Sequence, residues 1–358
     1  MRVFPPPDTT DPAEKTGLRV LIVRTSAIGD VIHGVPVLCA LRAAMPDAFL
    51  AWLVEGTMGD LLEGHLALDE LVRVPRRWWK SPRQVWHMRR RLRELRFDIS
   101  IDLQGLTKSA VCAWLSGAKR RIGKAGVHGR EQSRWFNNEL VEIHGTHVVD
   151  QYLSMLRPLG IDSPQVRFDL PEFKTEAGTV EAHLRKARLA GRRIALLNAG
   201  AGWPSKVWPA ERYGALARHL GQTHGVESLA VWGTPDEQAL AQRIVETSAR
   251  HAQLAPPTTM RELAELCRRA VLFVGSDTGP MHLSVAVGTP TISLHGPSQA
   301  EVCGAYGPNN IRLQVRYQAG SSLQRRRAND AAMRQITVSM VAAACNRLLE
   351  KPALRLCG

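Results

Sequence analysis

"VGSDTGPMHLSVAVGTPTISLHG", Val274–Gly296, reads as a buried strand, a turn, a helix and a second buried strand. Two apolar, β-rich runs joined through one helix must lie parallel, because the crossover is too long for a hairpin. The turn, Ser276-Asp277-Thr278-Gly279-Pro280, concentrates polar groups where strand becomes helix. Two readings fit. Pro is favoured in a first helical turn and Ser, Asp or Thr can cap it. Alternatively, the free amides, the helix dipole and the Thr278 hydroxyl hold a phosphate, with Gly279 letting it approach the backbone and His282 adding a donor from the first turn.

The same alternation extends in both directions. "LRVLIVR" (Leu18–Arg24) is a strand followed by Thr25-Ser26-Ala27-Ile28-Gly29-Asp30 and a helix ending near Pro46. "AFLAWLVE" and "FDISIDLQG" are further strands, the second leading into a helix over 106–116. After a Pro-containing, mixed-charge stretch at 164–178 the pattern restarts with "RRIALLNAG" and runs through four further helices and three further strands. The expected fold is α/β, with two doubly wound Rossmann-like domains. The boundaries expected are a disordered leader at 1–17, an N-terminal domain at 18–170, a C-terminal domain at 171–337 and a final helical segment at 338–358 that packs back on the N-terminal domain. In open parallel sheets, ligands bind beyond the C-terminal ends of the strands. Two such domains facing an interdomain cleft would line it with Gly29-Asp30, Gly200–Lys206 and Ser276–His282.

The 358 residues are 44% hydrophobic and 22% charged, as in soluble globular proteins. The longest apolar runs are far below the ~20 residues of a membrane span. The N-terminus lacks a signal-peptide core, so a cytoplasmic location is expected. Six cysteines with no CxxC pair indicate neither a zinc site nor a redox pair. No acidic metal cluster is visible, so neither metal nor cofactor is expected. With 47 Lys plus Arg against 33 Asp plus Glu, the formal charge is +14, which implies an anionic partner: nucleic acid, an anionic membrane surface or a phosphorylated substrate. No nucleic-acid-binding motif is present, which favours lipid or phosphosugar over nucleic acid. Residues 76–97, "RRWWKSPRQVWHMRRRLRELRF", are crowded with Arg and Trp and suit anionic headgroups, or form a solvated helix with its Trp residues packed inward. Arg325, Arg326 and Arg327 lie in a polar stretch, 321–334, that reads as a loop.

Asp30 heads the first long helix. It is either a cap or a general base kept ionised by the helix N-terminus. Asp102 ends another strand and is either a second cleft carboxylate or a buried structural one. Lys108 faces an anion or solvent. "NAGAGWPSKVWP" (Asn198–Pro209) is neither a Walker A loop nor a full GxGxxG. It is a turn that presents Lys206 to a diphosphate, or an exposed lysine in a loop.

"RVLIVRTSAIGDVIHGVPVL" and "FVGSDTGPMHLSVAVGTPTISLHGPS" resemble the N- and C-terminal signatures of the ADP-heptose:lipopolysaccharide heptosyltransferases, glycosyltransferase family nine. "KVWP" resembles that family's Lys-x-Trp-Pro, and "IDLQGLTKSA" and "REQSRWFNN" look most like its heptosyltransferase I branch. The resemblance runs from about Leu18 to Leu349. It implies the GT-B fold and inverting transfer of heptose from ADP-heptose to a Kdo residue of Kdo-lipid A, without metal, at the inner face of the inner membrane. By the same resemblance Asp30 is the base. Gly200, Lys206, Glu237, Asp277, Thr278, Gly279 and His282 hold the donor, and Gly29, Lys108 and Arg130 face the anionic acceptor. The loop Gly200-Ala201-Gly202 departs from the family's Thr-Thr, so backbone N–H groups would replace hydroxyls there. Glu237, in "WGTPDEQ", is the nearest carboxylate to the family's donor-site Glu. A heptosyltransferase II-like enzyme, or a non-catalytic sugar-nucleotide or glycolipid binder with the same fold, are the alternatives.

Overall fold

Val20, Leu21, Ile22 and Val23 are fully buried, and with Arg19 they form β1 (Arg19–Val23), a central strand covered on both faces. The computed structural model describes residues 17–350, so the leader expected at 1–17 falls, but for Gly17, outside the described residues, as do 351–358. The chain divides between Pro171 and Glu172 into two units.

The first unit continues with α1 (Ile28–Ala44), β2 (Phe49–Glu55), β3 (Glu70–Val74), α2 (Pro82–Glu94), β4 (Ile99–Asp102), α3 (Thr107–Ser116), β5 (Arg120–Lys124), α4 (Ser133–Phe136), β6 (Glu139–Val141) and α5 (Val148–Ser154). Its six strands are parallel, in the order β3-β2-β1-β4-β5-β6. All seven residues of β2 are buried, as expected of a parallel strand with helices on both faces. Each large apolar side chain so buried stabilises by roughly 1.5–3 kcal/mol. Residues 76–97 give a mixed outcome: Trp78 is buried with Met88 and Leu92, whereas Trp79 and Trp86 are about half exposed. The inward-packed reading holds for Trp78 alone of these three.

The second unit comprises α6 (Lys174–Lys186), β7 (Ile194–Asn198), α7 (Ala210–His224), β8 (Glu227–Ala230), α8 (Pro235–Thr247), β9 (Ala252–Leu254), α9 (Met260–Arg269), β10 (Leu272–Ser276), α10 (Gly279–Ala286), β11 (Thr291–Leu294), α11 (Ala300–Cys303), β12 (Ile311–Leu313), α12 (Ser322–Arg327), α13 (Ala331–Arg334) and α14 (Val338–Leu349). The strand order, β12-β11-β10-β7-β8-β9, repeats the first unit's topology. One feature differs from the sequence reading. Residues 321–334 are not a plain loop: Ser321 caps α12 in a capping box with Gln324, and α13 follows. Within its own unit α14 closes the core, burying Val341, Ala344 and Cys345 beside α7, β10 and β11. Its apolar face is the natural cover for that end of the sheet.

In each sheet the strand order reverses between the first and fourth strands, β1 and β4 in one unit, β7 and β10 in the other. Such a switch point opens a crevice at the strands' C-terminal ends. The polar loops singled out in the sequence follow these four strands.

Candidate active site

In the first unit, Arg24 directly follows β1 and is almost fully buried. Its Nη2 lies 2.5 Å from Asp30 Oδ2. Asp30 sits in the first turn of α1 rather than at its cap, and the same Oδ2 accepts the Ala27 N–H at 3.3 Å. The carboxylate is 40% exposed, so it is held by a buried guanidinium on one side and open on the other. Burial disfavours the Arg24 charge, but Tyr152 and Asp30 more than offset it, and the guanidinium titrates above its ordinary value.

Asp102 ends β4 with no exposure. Its Oδ1 accepts the Gln104 and Gly105 N–H groups at 3.0 Å each and its Oδ2 accepts Asn137 Nδ2 at 3.2 Å. Burial raises its pKa against those hydrogen bonds. Of its two readings, the geometry matches the structural one: the carboxylate shapes the loop after β4. That loop is tied to the one after β1, since Gln104 Oε1 accepts from the Thr25 amide and hydroxyl at 3.1 and 2.8 Å. Lys108 keeps 22% of its side chain exposed, pairs with buried Glu55, and its Nζ lies 4.5 Å from the centre of the Trp79 ring. Arg130 is exposed beyond β5, its N–H on the Gly105 carbonyl at 3.0 Å. Gly29 lies in the first turn of α1 beside Asp30.

In the second unit, Lys206 Nζ lies 2.6 Å from Asp277 Oδ2 and 3.1 Å from the Asp277 carbonyl. His282 Nε2 meets Asp277 Oδ1 at 3.1 Å. Burial alone would raise the Asp277 pKa, but the His282 hydrogen bond and the Lys206 and His282 charges hold it well below the usual carboxylate range. An ammonium has three donors, so Lys206 keeps one for a ligand. Its Nζ lies over Trp203 at 4.7 Å from the ring centre, and the Arg326 guanidinium of α12 lies over the same ring at 5.4 Å. Ser205, fully buried, pins α12 by donating to the Arg325 carbonyl at 2.6 Å.

Thr278 is the extended N-cap residue of α10, yet no side chain caps that helix. The Thr278 hydroxyl donates instead to the Ser276 carbonyl and accepts from Asn198 Nδ2, both at 3.2 Å. Capping therefore does not account for the polar turn, and the Gly279 N–H is left at a helix N-terminus suited to an anion. On the loop after β7, a Cβ on Gly200 would strike the Glu237 carboxylate. Glu237 is held there by the Gly233 N–H at 2.9 Å.

Each donor-side residue expected from the sequence thus lies beyond β7, β8 or β10 at the C-terminal ends of one sheet. The sequence reading assigned no site role to Arg24, Lys124, Tyr152, Trp203 or Arg326. Arg24 carried a usable signal, as a charged residue ending an apolar strand, and Lys124 carried none.

The chain matches the model of glycosyltransferase family 9 (heptosyltransferase) over residues 85–332. It is 30% identical to lipopolysaccharide heptosyltransferase 1 of Pseudomonas aeruginosa over 311 residues, covering 83% of each chain. It is 28% identical to lipopolysaccharide heptosyltransferase 1 of Escherichia coli K12, covering 82% of this chain and 92% of the relative. Among solved structures it is similar to the E. coli heptosyltransferase WaaC with ADP, at 26% identity and a TM-score of 0.70 over 93% of this chain and 98% of that one. WaaC with ADP-2-deoxy-2-fluoro heptose matches with a TM-score of 0.72 at 25% identity, over 92% and 99% of the two chains.

Proposed function

The chain belongs to glycosyltransferase family 9, the heptosyltransferases, and from that premise we propose that it moves L-glycero-D-manno-heptose from ADP-heptose to a Kdo residue of the lipopolysaccharide inner core, with Asp30 as general base. The observation that carries the catalytic assignment is the Arg24–Asp30 pair: a half-open carboxylate, fixed by a buried guanidinium, at the switch point of its sheet.

Asp30 takes the proton of the acceptor hydroxyl as the oxygen attacks the anomeric carbon. The bond from that carbon to the β-phosphate oxygen breaks, ADP leaves with the electron pair, and the configuration inverts. Negative charge grows on the departing diphosphate. The free donor of Lys206 and the Gly279 amide at the start of α10 answer that charge, where preorganised donors act most strongly. Asp277 fixes Lys206 and presents His282 to the same region, while Glu237 and Gly200 form the wall after β7. The solved WaaC relatives with ADP and with ADP-2-deoxy-2-fluoro heptose support an ADP-sugar as donor.

The acceptor lipid places the enzyme at an anionic membrane face. No helix among the described residues is long and apolar enough to cross a membrane, and the cationic surface of α2 with exposed Trp86 supports peripheral contact. The test is ADP release from ADP-heptose with and without Kdo-lipid A. Release that depends on the acceptor supports the reading, and binding of ADP-heptose without turnover on any Kdo acceptor sinks it.

A further inference from the structure

Lys124 ends β5 with only 8% of its surface exposed. Its methylenes pass beneath Gly105, whose added Cβ would come within 3.3 Å of Lys124 Cδ. Gly105 has φ +69, a conformation open to glycine, and an added Cβ would meet the His128 carbonyl oxygen at 2.8 Å before it met Lys124. The ammonium ends over the face of buried Tyr152, 4.5 Å from the ring centre. Among the described residues it forms no hydrogen bond or ion pair. The two carboxylates nearby are committed elsewhere: Asp30 to Arg24, and Asp102 to Gln104, Gly105 and Asn137. The second cation facing Tyr152 is Arg24, with Cζ 5.7 Å from the ring centre and a buried Nε that has no partner.

A cation–π contact recovers only part of the cost of desolvating an ammonium. Two nearly buried cations beside one aromatic ring, with an unused Nζ and an unused Nε, form a cradle for an anion. We propose that Lys124, Arg24 and Tyr152 form a pocket beside Asp30 that takes a carboxylate of the acceptor sugar and so aims the neighbouring hydroxyl at the base. This rests on the reading of Asp30 as base and deepens it by naming the acceptor group that is recognised. A planar carboxylate suits the site better than a phosphate dianion, since Asp30 and Asp102 already supply negative charge.

Burial, and then the Arg24 charge, push the Lys124 ammonium down to about 8; Asp102 and Asp30 pull upward and Arg130 pulls further down. Tyr152, from α5, is pushed up by burial and stays neutral. The free enzyme therefore loses the Lys124 proton as pH rises through about 8, and a bound carboxylate restores it. Acceptor KM should climb above that pH.

The experiment uses the full chain as wild type and Lys124→Met, which keeps the stem and removes the charge. Three acceptors are compared: Kdo-lipid A, the same glycolipid with its Kdo carboxyl converted to a carboxamide, and the form without lipid A phosphates. The expected result for K124M is at least a tenfold rise in KM for Kdo-lipid A, little change on the carboxamide, loss of the rise above pH 8, and unchanged ADP-heptose binding. Equal KM values for the two proteins on Kdo-lipid A would overturn the pocket. A penalty that persists on the carboxamide and vanishes without the phosphates would overturn the carboxylate assignment. If the wild type transfers heptose to none of the three, the parent reading fails, and the pocket fails with it.

Discussion

Lys206 and Asp277, 71 residues apart in sequence, meet at 2.6 Å with both side chains largely buried. Removing one partner of such a pair leaves the other charge desolvated, which costs roughly 3–5 kcal/mol. Lys206→Met should lose that much stability in urea unfolding and also lose ADP-heptose binding. Lys206→Met with Asp277→Asn should recover most of the stability and none of the binding. Recovery of both would show that Lys206 serves the fold alone.

Gly200 faces Glu237 so closely that any side chain must displace it, and the obstacle is the far end of a flexible side chain rather than backbone. Gly200→Ala should therefore keep the fold within about 1 kcal/mol of wild type. Its ADP-heptose KM should rise severalfold as Glu237 leaves the Gly233 amide. Unchanged KM would remove Glu237 and Gly200 from the donor wall.

His295, fully buried between the Ser293 and Ser298 hydroxyls, is pushed down to about 4 by burial, with Asp277 opposing and His282, Lys206 and Arg312 reinforcing. Its folded value lies below the unfolded 6.5, so the unfolded state takes up the proton first as pH falls. Stability should drop between pH 6.5 and about 4 by up to about 1.4 kcal/mol per pH unit from this group. His295→Gln should flatten that slope. A parallel pair of stability–pH curves would show that folding leaves the His295 pKa unshifted.

Much of this was legible in the sequence, for a physical reason. Strands such as Val20–Val23 and Leu272–Val274 are buried on both faces, so they are continuous apolar runs, and the polar turns after them stand out. That contrast located Asp30, Lys206, Asp277, Thr278 and His282. Lys124 was not legible because β5, "RRIGK", has no apolar run, and its burial comes from Gly105 and Tyr152, far away in sequence. The pairing of Lys108 was not legible because its partner Glu55 ends a different strand. The polar segment at 321–334 hid α12, whose helix rests on the buried Ser205 hydroxyl as well as on its own capping box.

The Arg/Trp surface of α2 gives a salt-dependent expectation. Trp86 is 52% exposed with the Arg90 guanidinium 5.7 Å from its ring centre, while Met88 and Leu92 face inward. Binding to phosphatidylglycerol vesicles should weaken steeply toward 1 M salt, where screening acts within about 3 Å. Trp86→Ala should weaken it further. Binding that ignores salt would remove the electrostatic account of membrane contact.

The central claim is that Asp30, set by Arg24, accepts the proton of the acceptor hydroxyl. The direct measurement is ADP release from ADP-heptose by wild type and Asp30→Asn, with and without Kdo-lipid A, alongside ADP-heptose binding and thermal stability. The account predicts acceptor-dependent release that falls by roughly 10²–10⁴-fold in the variant while donor binding is retained. Release by Asp30→Asn within about tenfold of wild type would contradict it.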